Sequence, residues 1–201
     1  MKINNLLYMT DDIIYLKNRK KLNIIRYKIN KNIIRNGRIY NISRFIKEYN
    51  KLLNDNHLNN NLFGDTIKII INPLYNPADI AFLKQIMEKF NYRKIVFENE
   101  TKRYKLNMQN AYLNTYDNYL FLSYIDEYKK IKSYFIPSNF FENIQELLKY
   151  IKIKIKNREL YLIGKGESIK DIFTLFEKEY QNKTYIYKNH ELYLLESVHS
   201  M

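Results

Sequence analysis

The chain has 201 residues, of which 46% are hydrophobic, so it is long enough and apolar enough to bury a sizeable core. It contains no cysteine, which excludes a disulfide framework and any thiolate metal or redox chemistry. No apolar run approaches the length of a membrane span, and the first residues lack a charged-then-apolar leader. We therefore expect a soluble, cytoplasmic protein.

The net charge is +13, from 34 basic and 21 acidic residues. A charge of this size favours a polyanionic partner, either nucleic acid or the anionic inner face of a membrane. The chain is also rich in Lys, Asn, Ile and Tyr and has only 4 Gly and 3 Pro. AT-rich coding produces that bias wherever the surface accepts it. The charge therefore has two explanations, one functional and one compositional.

The first half of the chain is predicted to form a hairpin followed by alternating strands and helices. β-Branched and aromatic residues favour strands on both sides of Thr10–Asp12, while Asp tolerates the backbone angles of a tight turn. Asn36-Gly37 is a second strong turn signal. In chain order the predicted elements are a hairpin over 5–16, strands over 22–27 and 33–39, a helix after Ser43, a strand over 67–71, a helix after Asn76, a strand over 94–97 and a short helix over 98–106.

The helices of this half carry start signals. Ser43 is the predicted N-cap of a helix whose core face begins with Phe45 and Tyr49. Asn76 is the predicted N-cap of the next helix, because a proline follows at the first helical position and an acidic residue stands in the first turn. The run 67–71 between them is short and almost wholly apolar, which is typical of a strand buried on both faces.

The second half repeats this order. Its predicted elements are a hairpin over 111–125 with its turn at 115–118, a strand over 130–136, a helix after Ser138, a strand over 159–163, a helix after Ser168, a strand over 184–187 and a closing helix within 190–198. Thr115 matches Thr10 at the hairpin turn, and Phe140 matches Phe45 at the start of a helix face. Differences in length between the halves fall in loops.

These matches predict an internal duplication of a β-β-β-α-β-α-β-α unit. The first lobe is expected at residues 1–108 and the second at 109–201, with a cleft between them and no large inserted subdomain. Parallel strands after each hairpin, with helices on both faces, make the predicted fold class α/β. This duplicated unit resembles the ribonuclease H-like core of the actin-like superfamily, which covers actin, the heat-shock chaperone ATPases, sugar kinases and the bacterial proteins MreB, FtsA and PilM.

Three short segments carry the resemblance. Residues 34–41 look like the "-dGvI-D-" segment of the bacterial members. Residues 69–73, a capped helix and then residues 92–100 are similar to their strand ending in Pro, helix and "aGa-kvyliEEP" segment, although the Ala pair and Pro of MreB are missing here. Residues 160–166 resemble the adenosine segment, in which a hydrophobic strand normally precedes Gly-Gly-Gly.

The resemblance implies a place for ATP between the two hairpins, whose turns in active members read Asp-x-Gly-Thr and Asp-x-Gly-Gly-Gly-Thr. Backbone N–H groups approach phosphate oxygens closely only where no Cβ intrudes, and the carboxylates position Mg²⁺. Here the corresponding turns are Met9–Asp12 and Thr115–Asn118, and neither contains Gly. We therefore expect no ATPase activity, no catalytic residue, no metal site and no bound cofactor.

The candidate residues of a vestigial nucleotide cleft are Thr10, Asp11, Asp12, Thr115, Asp117, Gly164 and Gly166. The stretch Gly164–Ser168 is the most site-like, because it leads from a buried strand into a helix N-terminus, which suits anions. It is not a Walker A loop, since no Gly lies at the required distance upstream. Weak ATP or ADP binding and a plain strand-to-helix turn are both open interpretations. A two-metal nuclease is disfavoured, because the first strand carries no carboxylate.

Together, the resemblance and the altered turns predict a non-catalytic scaffold or assembly protein of a bacterial envelope machine, such as the division, cell-shape or pilus apparatus. We expect protein partners, including membrane-associated envelope proteins, at the inner face of the membrane; an oligomer is an open alternative. The first alternative function is a basic nucleic-acid binder, which rests on the net charge, on Lys17–Lys21 and on the lysines at 149, 152, 154 and 156 beside Tyr150. The second is a weak nucleotide-binding cytoskeletal protein.

Overall fold

The computed structural model of the chain describes residues 5–18, 24–30, 32–35, 37–58, 65–116, 119–137 and 139–164, together with residues 174, 176, 178, 184–187 and 195. The chain divides into two compact units, Met1–Arg103 with Leu194–Met201 and Tyr104–Tyr193. Each unit is built around its own five-stranded sheet. None of the helices in the described part of the chain has the length and apolar character needed to cross a bilayer.

The first unit contains the sheet ordered β3-β2-β1-β6-β7 and a separate two-stranded hairpin, β4-β5. Its elements are β1 (Asn5–Met9), β2 (Ile13–Asn18), β3 (Ile24–Lys28), β4 (Ile34–Arg35), β5 (Arg38–Ile39), α1 (Ile42–Asp55), β6 (Thr66–Ile71), α2 (Pro77–Glu88), β7 (Lys94–Asn99) and a 3₁₀ turn at Glu100–Arg103. β1 runs antiparallel to β2 and parallel to β6, and β6 runs parallel to β7.

The core of this unit forms where one face of the sheet meets α1 and α2. Leu7 and Ile69, which pair across β1 and β6, are fully buried there. Phe45 and Tyr49 lie one turn apart on α1, so both point into the same core, where Tyr49 packs edge-on against Phe90 with ring centroids 4.6 Å apart. As expected for central parallel strands, β1 and β6 are buried almost throughout their length.

The caps of the two helices differ in how well they were predicted. Asn76 and Asp79 form a reciprocal capping box at the start of α2, which confirms the predicted start of that helix. The prediction that Ser43 caps α1 is wrong, because Asn41 holds that position and its side chain accepts the Arg44 N–H at 3.1 Å. Asn is as strong an N-cap as Ser, so the earlier residue starts the helix.

The second unit repeats the first with the sheet order β10-β9-β8-β11-β12. Its elements are β8 (Asn110–Tyr116), β9 (Tyr119–Ile125), β10 (Ile131–Pro137), α3 (Ile144–Ile155), β11 (Glu159–Gly164) and β12 (Thr184–Tyr187). β8 runs antiparallel to β9 and parallel to β11, as β1 does to β2 and β6. The identical order and directions confirm the predicted duplicated α/β fold.

Strand pairing corrects the register that we predicted between the hairpins. Leu7 pairs with Leu16 in the first, and Leu113 pairs with Leu122 in the second. Each of these residues faces its own helical core. On this register Thr115 corresponds to Met9 and not to Thr10, so the predicted match was displaced by one residue and joined side chains on opposite faces.

Helix α3 also differs from its prediction. Its N-cap is Asn143, whose side chain accepts the Glu146 N–H at 3.0 Å, and the predicted cap Ser138 lies outside the described residues. Phe140 precedes the helix and is 68% exposed, so its predicted place on the core face is wrong. The apolar spacing alone could not distinguish it from a core residue. The lysines at 149, 152 and 154 lie in α3, and Lys156 is its C-cap.

The predicted short helix over 98–106 is instead the end of β7 followed by a single 3₁₀ turn. Glu98 holds this turn in place, because its carboxylate accepts from Lys68 Nζ at 2.7 Å and from Arg103 Nε. Burial by itself would raise the pKa of Glu98, but the hydrogen bond from Lys68 and the charges of Arg103 and Lys68 lower it. The carboxylate therefore has a structural role.

We predict that Glu98→Gln lowers the free energy of unfolding at pH 7 by about 1–3 kcal/mol, because it leaves two cations without a counter-charge. Because the pKa of Glu98 is lower in the folded protein than its ordinary value of 4.5, the ionised carboxylate stabilises the fold above about pH 4.5. That stabilisation is lost as the pH falls through the folded-state pKa. Urea unfolding at pH 7 and at lower pH should therefore show the difference between the variant and the wild type shrinking.

Glu88→Gln is the matched control, since Glu88 makes an exposed ion pair with Lys84 at 3.8 Å. We expect it to change stability by no more than about 0.5 kcal/mol. A loss for Glu98→Gln that is as small as the control, or that stays constant with pH, would contradict the assigned role.

Candidate functional site

The turn between β1 and β2 is closed by its own groups. The Thr10 N–H donates to the Ile13 carbonyl at 2.9 Å, and the Ile13 N–H donates back to Thr10 Oγ1 at 3.2 Å. The Thr10 hydroxyl also lies 3.1 Å from Asp12 Oδ1, to which it donates. These contacts are those of a side chain stabilising a tight turn, in which Thr and Asp bond to neighbouring backbone.

The Asp11 carboxylate leaves this turn and binds the turn between β4 and β5. Its Oδ1 accepts the Gly37 N–H at 3.2 Å. Gly37 has φ +72°, which L side chains rarely adopt, and a Cβ there would lie 3.2 Å from Asn72 Nδ2 and 3.5 Å from the Met9 carbonyl oxygen. Gly37 is thus required by its backbone conformation, while a Cβ would meet Met9 only at van der Waals distance and would press on the Asn72 side chain.

A third loop, between β6 and α2, completes the arrangement. The Tyr75 hydroxyl donates to the Gly37 carbonyl, and Asn72 Oδ1 accepts the Leu74 N–H at 2.9 Å within the loop. Burial, and to a smaller extent the nearby Asp79 carboxylate, raise the pKa of Tyr75, so its phenol stays protonated and able to donate. We call Asp11, Gly37, Asn72 and Tyr75 the turn cluster.

The candidate residues of the second unit lie at the corresponding edge of its sheet. Thr115 is only 4% exposed, and its hydroxyl donates to the Ile163 carbonyl at 3.3 Å. Gly164 ends β11 and pairs with Thr115 across the parallel ladder. The structure therefore brings Thr115 and Gly164 together, while Asp117 and Gly166 lie outside the described residues.

The two glutamates of the segment that resembles "EEP" are both engaged in the first unit. Glu98 binds Lys68 and Arg103, as described above. Glu100 is fully buried and accepts the Tyr8 hydroxyl at 3.4 Å. Within the described ranges no group of three His, Asp or Glu side chains could hold a metal ion.

Sequence reasoning missed one polar pair near the turn cluster. Arg38 Nη2 lies 2.7 Å from Asp79 Oδ2 and donates to the Leu74 carbonyl at 2.7 Å. Asp79 was predicted only as an acidic residue in the first helical turn. Nothing in the local sequence signals its ion pair, because Arg38 comes from a different hairpin. The local sequence indicates the turn at Asn36-Gly37, but it does not indicate which group contacts that turn in the folded chain.

The architecture is that of the actin-like ATPase fold. The chain matches the crystal structure of MreB 5 of Spiroplasma citri bound to AMPPNP with a TM-score of 0.64 at 10% sequence identity, over 98% of this chain and 95% of that chain. It matches the ethanolamine utilization protein EutJ from Carboxydothermus hydrogenoformans with a TM-score of 0.64 at 9% identity, over 98% of this chain and 89% of that chain.

A further match is a protein of unknown function from Bacteroides thetaiotaomicron with an actin-like ATPase fold, at a TM-score of 0.54 and 8% identity, over 96% of this chain and 94% of that chain. No protein-family model matches the chain, and no curated protein does. The matches confirm the resemblance to the actin-like superfamily at the level of the fold, which is what identities this low establish.

Proposed function

We propose that this protein is a non-catalytic actin-like scaffold that assembles with other proteins in a bacterial envelope machine, such as the division, cell-shape or pilus apparatus. The observation that carries the proposal is the Asp11 carboxylate bound to the Gly37 N–H. In the actin-like proteins that this chain resembles, the turn corresponding to the one that carries Asp11 would hold a phosphate and its Mg²⁺. The Asp11 carboxylate and the Gly37 N–H are hydrogen-bonded to each other.

The donors of the first hairpin support the same proposal. A phosphate-binding turn presents several N–H groups to its ligand, whereas here the Thr10 and Ile13 N–H groups are bonded within the turn. A phosphate could be bound by these two N–H groups only if their bonds within the turn were broken, at a net cost of about 1 kcal/mol each. The missing glycines act in the same direction, because Cβ atoms keep phosphate oxygens away.

A scaffold role is consistent with a chain that has the actin-like fold but lacks the glycines of the phosphate-binding turns. The neighbour MreB 5 was crystallised with AMPPNP and with ADP, and those ligands belong to that protein. For this chain we propose a place in the cytoplasm at the inner face of the membrane, with protein partners in the envelope machine. Weak nucleotide binding as a cytoskeletal protein is the competing outcome of the test below.

We predict that Mg·ATP and Mg·ADP at millimolar concentration leave the thermal unfolding midpoint unchanged, and that no phosphate is released from ATP. A ligand at 100 times its dissociation constant would add about 2.7 kcal/mol to stability, and so raise the midpoint by roughly 5–10 °C. A saturable rise of several degrees would overturn the proposal that nucleotide binding is lost.

A second candidate function, nucleic-acid binding, is favoured by the outer face of α3. Lys149, Lys152 and Lys156 are exposed towards the C-terminal end of α3, the first two at helical spacing and Lys156 at the C-cap, where the backbone has left the helix. We call these three lysines the basic flank. Lys154 does not belong to it, because its Nζ lies over the Tyr134 ring at 4.7 Å. A row of lysines contacts phosphates without reading sequence.

If this flank binds polyanions, the triple variant Lys149→Glu, Lys152→Glu, Lys156→Glu should elute from a heparin column at clearly lower salt than the wild type. The matched control carries the same charge change on exposed lysines of the first unit, Lys47→Glu, Lys51→Glu, Lys89→Glu. Equal losses in both variants would show that retention follows net charge alone, and would remove the α3 flank as a nucleic-acid site.

A further inference from the structure

Strand β10 forms one edge of the sheet of the second unit. Within the described part of the chain, no strand pairs with β10 on the side away from β9. Ile131, Ser133 and Phe135 are exposed, so the strand is open to solvent along most of its length. An edge strand presents a row of unpaired backbone N–H and C=O groups, which makes it a template for a further strand.

This edge is apolar, whereas edge strands usually carry charges that prevent pairing. β3, an edge of the first unit's sheet, carries the exposed charges of Arg26 and Lys28. Such charges discourage another strand from adding to the sheet. In β10 the charged residue is Lys132, and it stands between Ile131, which is 55% exposed, and the 46% exposed Phe135. β10 is therefore much less protected against pairing than β3.

The hairpin with β9 shows which backbone groups of β10 point outward. Ile131 faces Ile125, and one position nearer the turn the Asp126 N–H donates to the Lys130 carbonyl at 2.9 Å. Hydrogen-bonded and non-hydrogen-bonded positions alternate along an antiparallel ladder. Because Lys130 is bonded to β9, Ile131 turns its N–H and its carbonyl away from β9.

Ser133 and Phe135 share the orientation of Ile131, since the alternation repeats every second residue. The next position of this kind is Pro137, which has no N–H and whose carbonyl accepts the Phe140 N–H at 3.0 Å. The free edge therefore consists of the N–H and C=O groups of Ile131, Ser133 and Phe135.

This edge is complementary to itself about Ser133. If a second copy runs antiparallel with Ser133 facing Ser133, Ile131 of each copy faces Phe135 of the other. Every N–H and C=O of the free edge then has a partner. The two exposed apolar side chains also bury area against each other, as cross-strand pairs do.

Charge and backbone chemistry both favour this register over its neighbours. With Ser133 on the two-fold axis, Lys132 faces Tyr134 of the second copy. Sliding the second copy by two residues in one direction brings Lys132 opposite Lys132, and like charges directly opposite destabilise a sheet. Sliding it the other way places Pro137 in the ladder, where it has no N–H to donate.

The charge of Lys132 is moreover partly balanced within its own chain, because its Nζ lies 3.5 Å from Asp126 Oδ2. One strand from each copy makes a small interface, in the class below about 1,200 Å² that weak and reversible complexes occupy. We therefore expect a dissociation constant in the micromolar range.

We infer that the free edge of β10 is a self-association surface, at which two copies of this chain pair antiparallel about Ser133 and join the sheets of their second units. The occupant of the edge is thus a second copy of this chain. The inference goes beyond the proposed function, and it holds whether or not the chain binds a nucleotide.

The first test is sedimentation velocity of the full chain between about 1 and 100 µM, in about 0.3 M salt to screen the repulsion between two chains of net charge +13. We expect a reversible dimer. Ile131→Lys should weaken association by about tenfold or more, because it places a charge on the edge. Ile153→Lys is the matched control, since this α3 residue is 72% exposed and receives the same substitution. Thermal unfolding midpoints matching the wild type would show that both variants are folded.

The second test uses the absence of cysteine from the chain to check the register. Ser133→Cys places one thiol from each copy across the two-fold axis. The Cα atoms of such a pair lie about 5.5 Å apart, within the range of roughly 4.4–6.8 Å that a disulfide spans. Oxidation with diamide should give a disulfide-linked dimer on non-reducing electrophoresis, whereas Ile153→Cys should form one far more slowly.

A chain that stays monomeric up to about 100 µM would overturn the inference and leave the edge to a strand of a different protein. A dimer that Ile131→Lys does not weaken would also overturn it, since association would then use another surface. Equal cross-linking of Ser133→Cys and Ile153→Cys would do the same. None of these measurements contains a nucleotide, so their failure is distinct from failure of the proposed scaffold function.

Discussion

The parallel pairing of β1 with β6 is the constraint on which the rest of the first unit depends. Because the two strands run in the same direction, the turn after β1 and the loop after β6 leave the sheet at the same edge. That edge is where the turn cluster forms, with Asp11 from one loop and Tyr75 from the other meeting at Gly37. The second unit places Thr115 and Gly164 at its corresponding edge by the same pairing of β8 with β11.

Much of this architecture could be predicted from local patterns. Apolar and β-branched runs located the central strands, and the Asn76 capping box located α2, because both signals arise from neighbouring residues. The errors fall where two local signals compete. Asn41 and Ser43 are about equally good N-caps, and the helix begins after Asn41; Phe140 continued the apolar spacing of a helix that begins after Asn143. The repeated order of strands and helices was predicted correctly despite both errors.

The site was predicted less completely for a physical reason. A turn signal shows that Gly37 bends the chain, but it does not show which group meets its N–H, since Asp11 is distant in sequence. The same holds for the pair of Arg38 with Asp79. Such contacts depend on which loops leave the sheet at the same edge. They explain why the first hairpin turn, predicted as part of a vestigial nucleotide site, forms its hydrogen bonds within the first unit.

The central claim, that the first hairpin turn is occupied by the chain's own groups, is tested most directly by hydrogen exchange of the Gly37 amide, measured by NMR. The account predicts exchange about tenfold slower in the wild type than in Asp11→Ala, as a net hydrogen bond of about 1.4 kcal/mol would give, and no change on adding Mg·ATP. Equal rates in the two proteins, with slowing only when Mg·ATP is present, would contradict it.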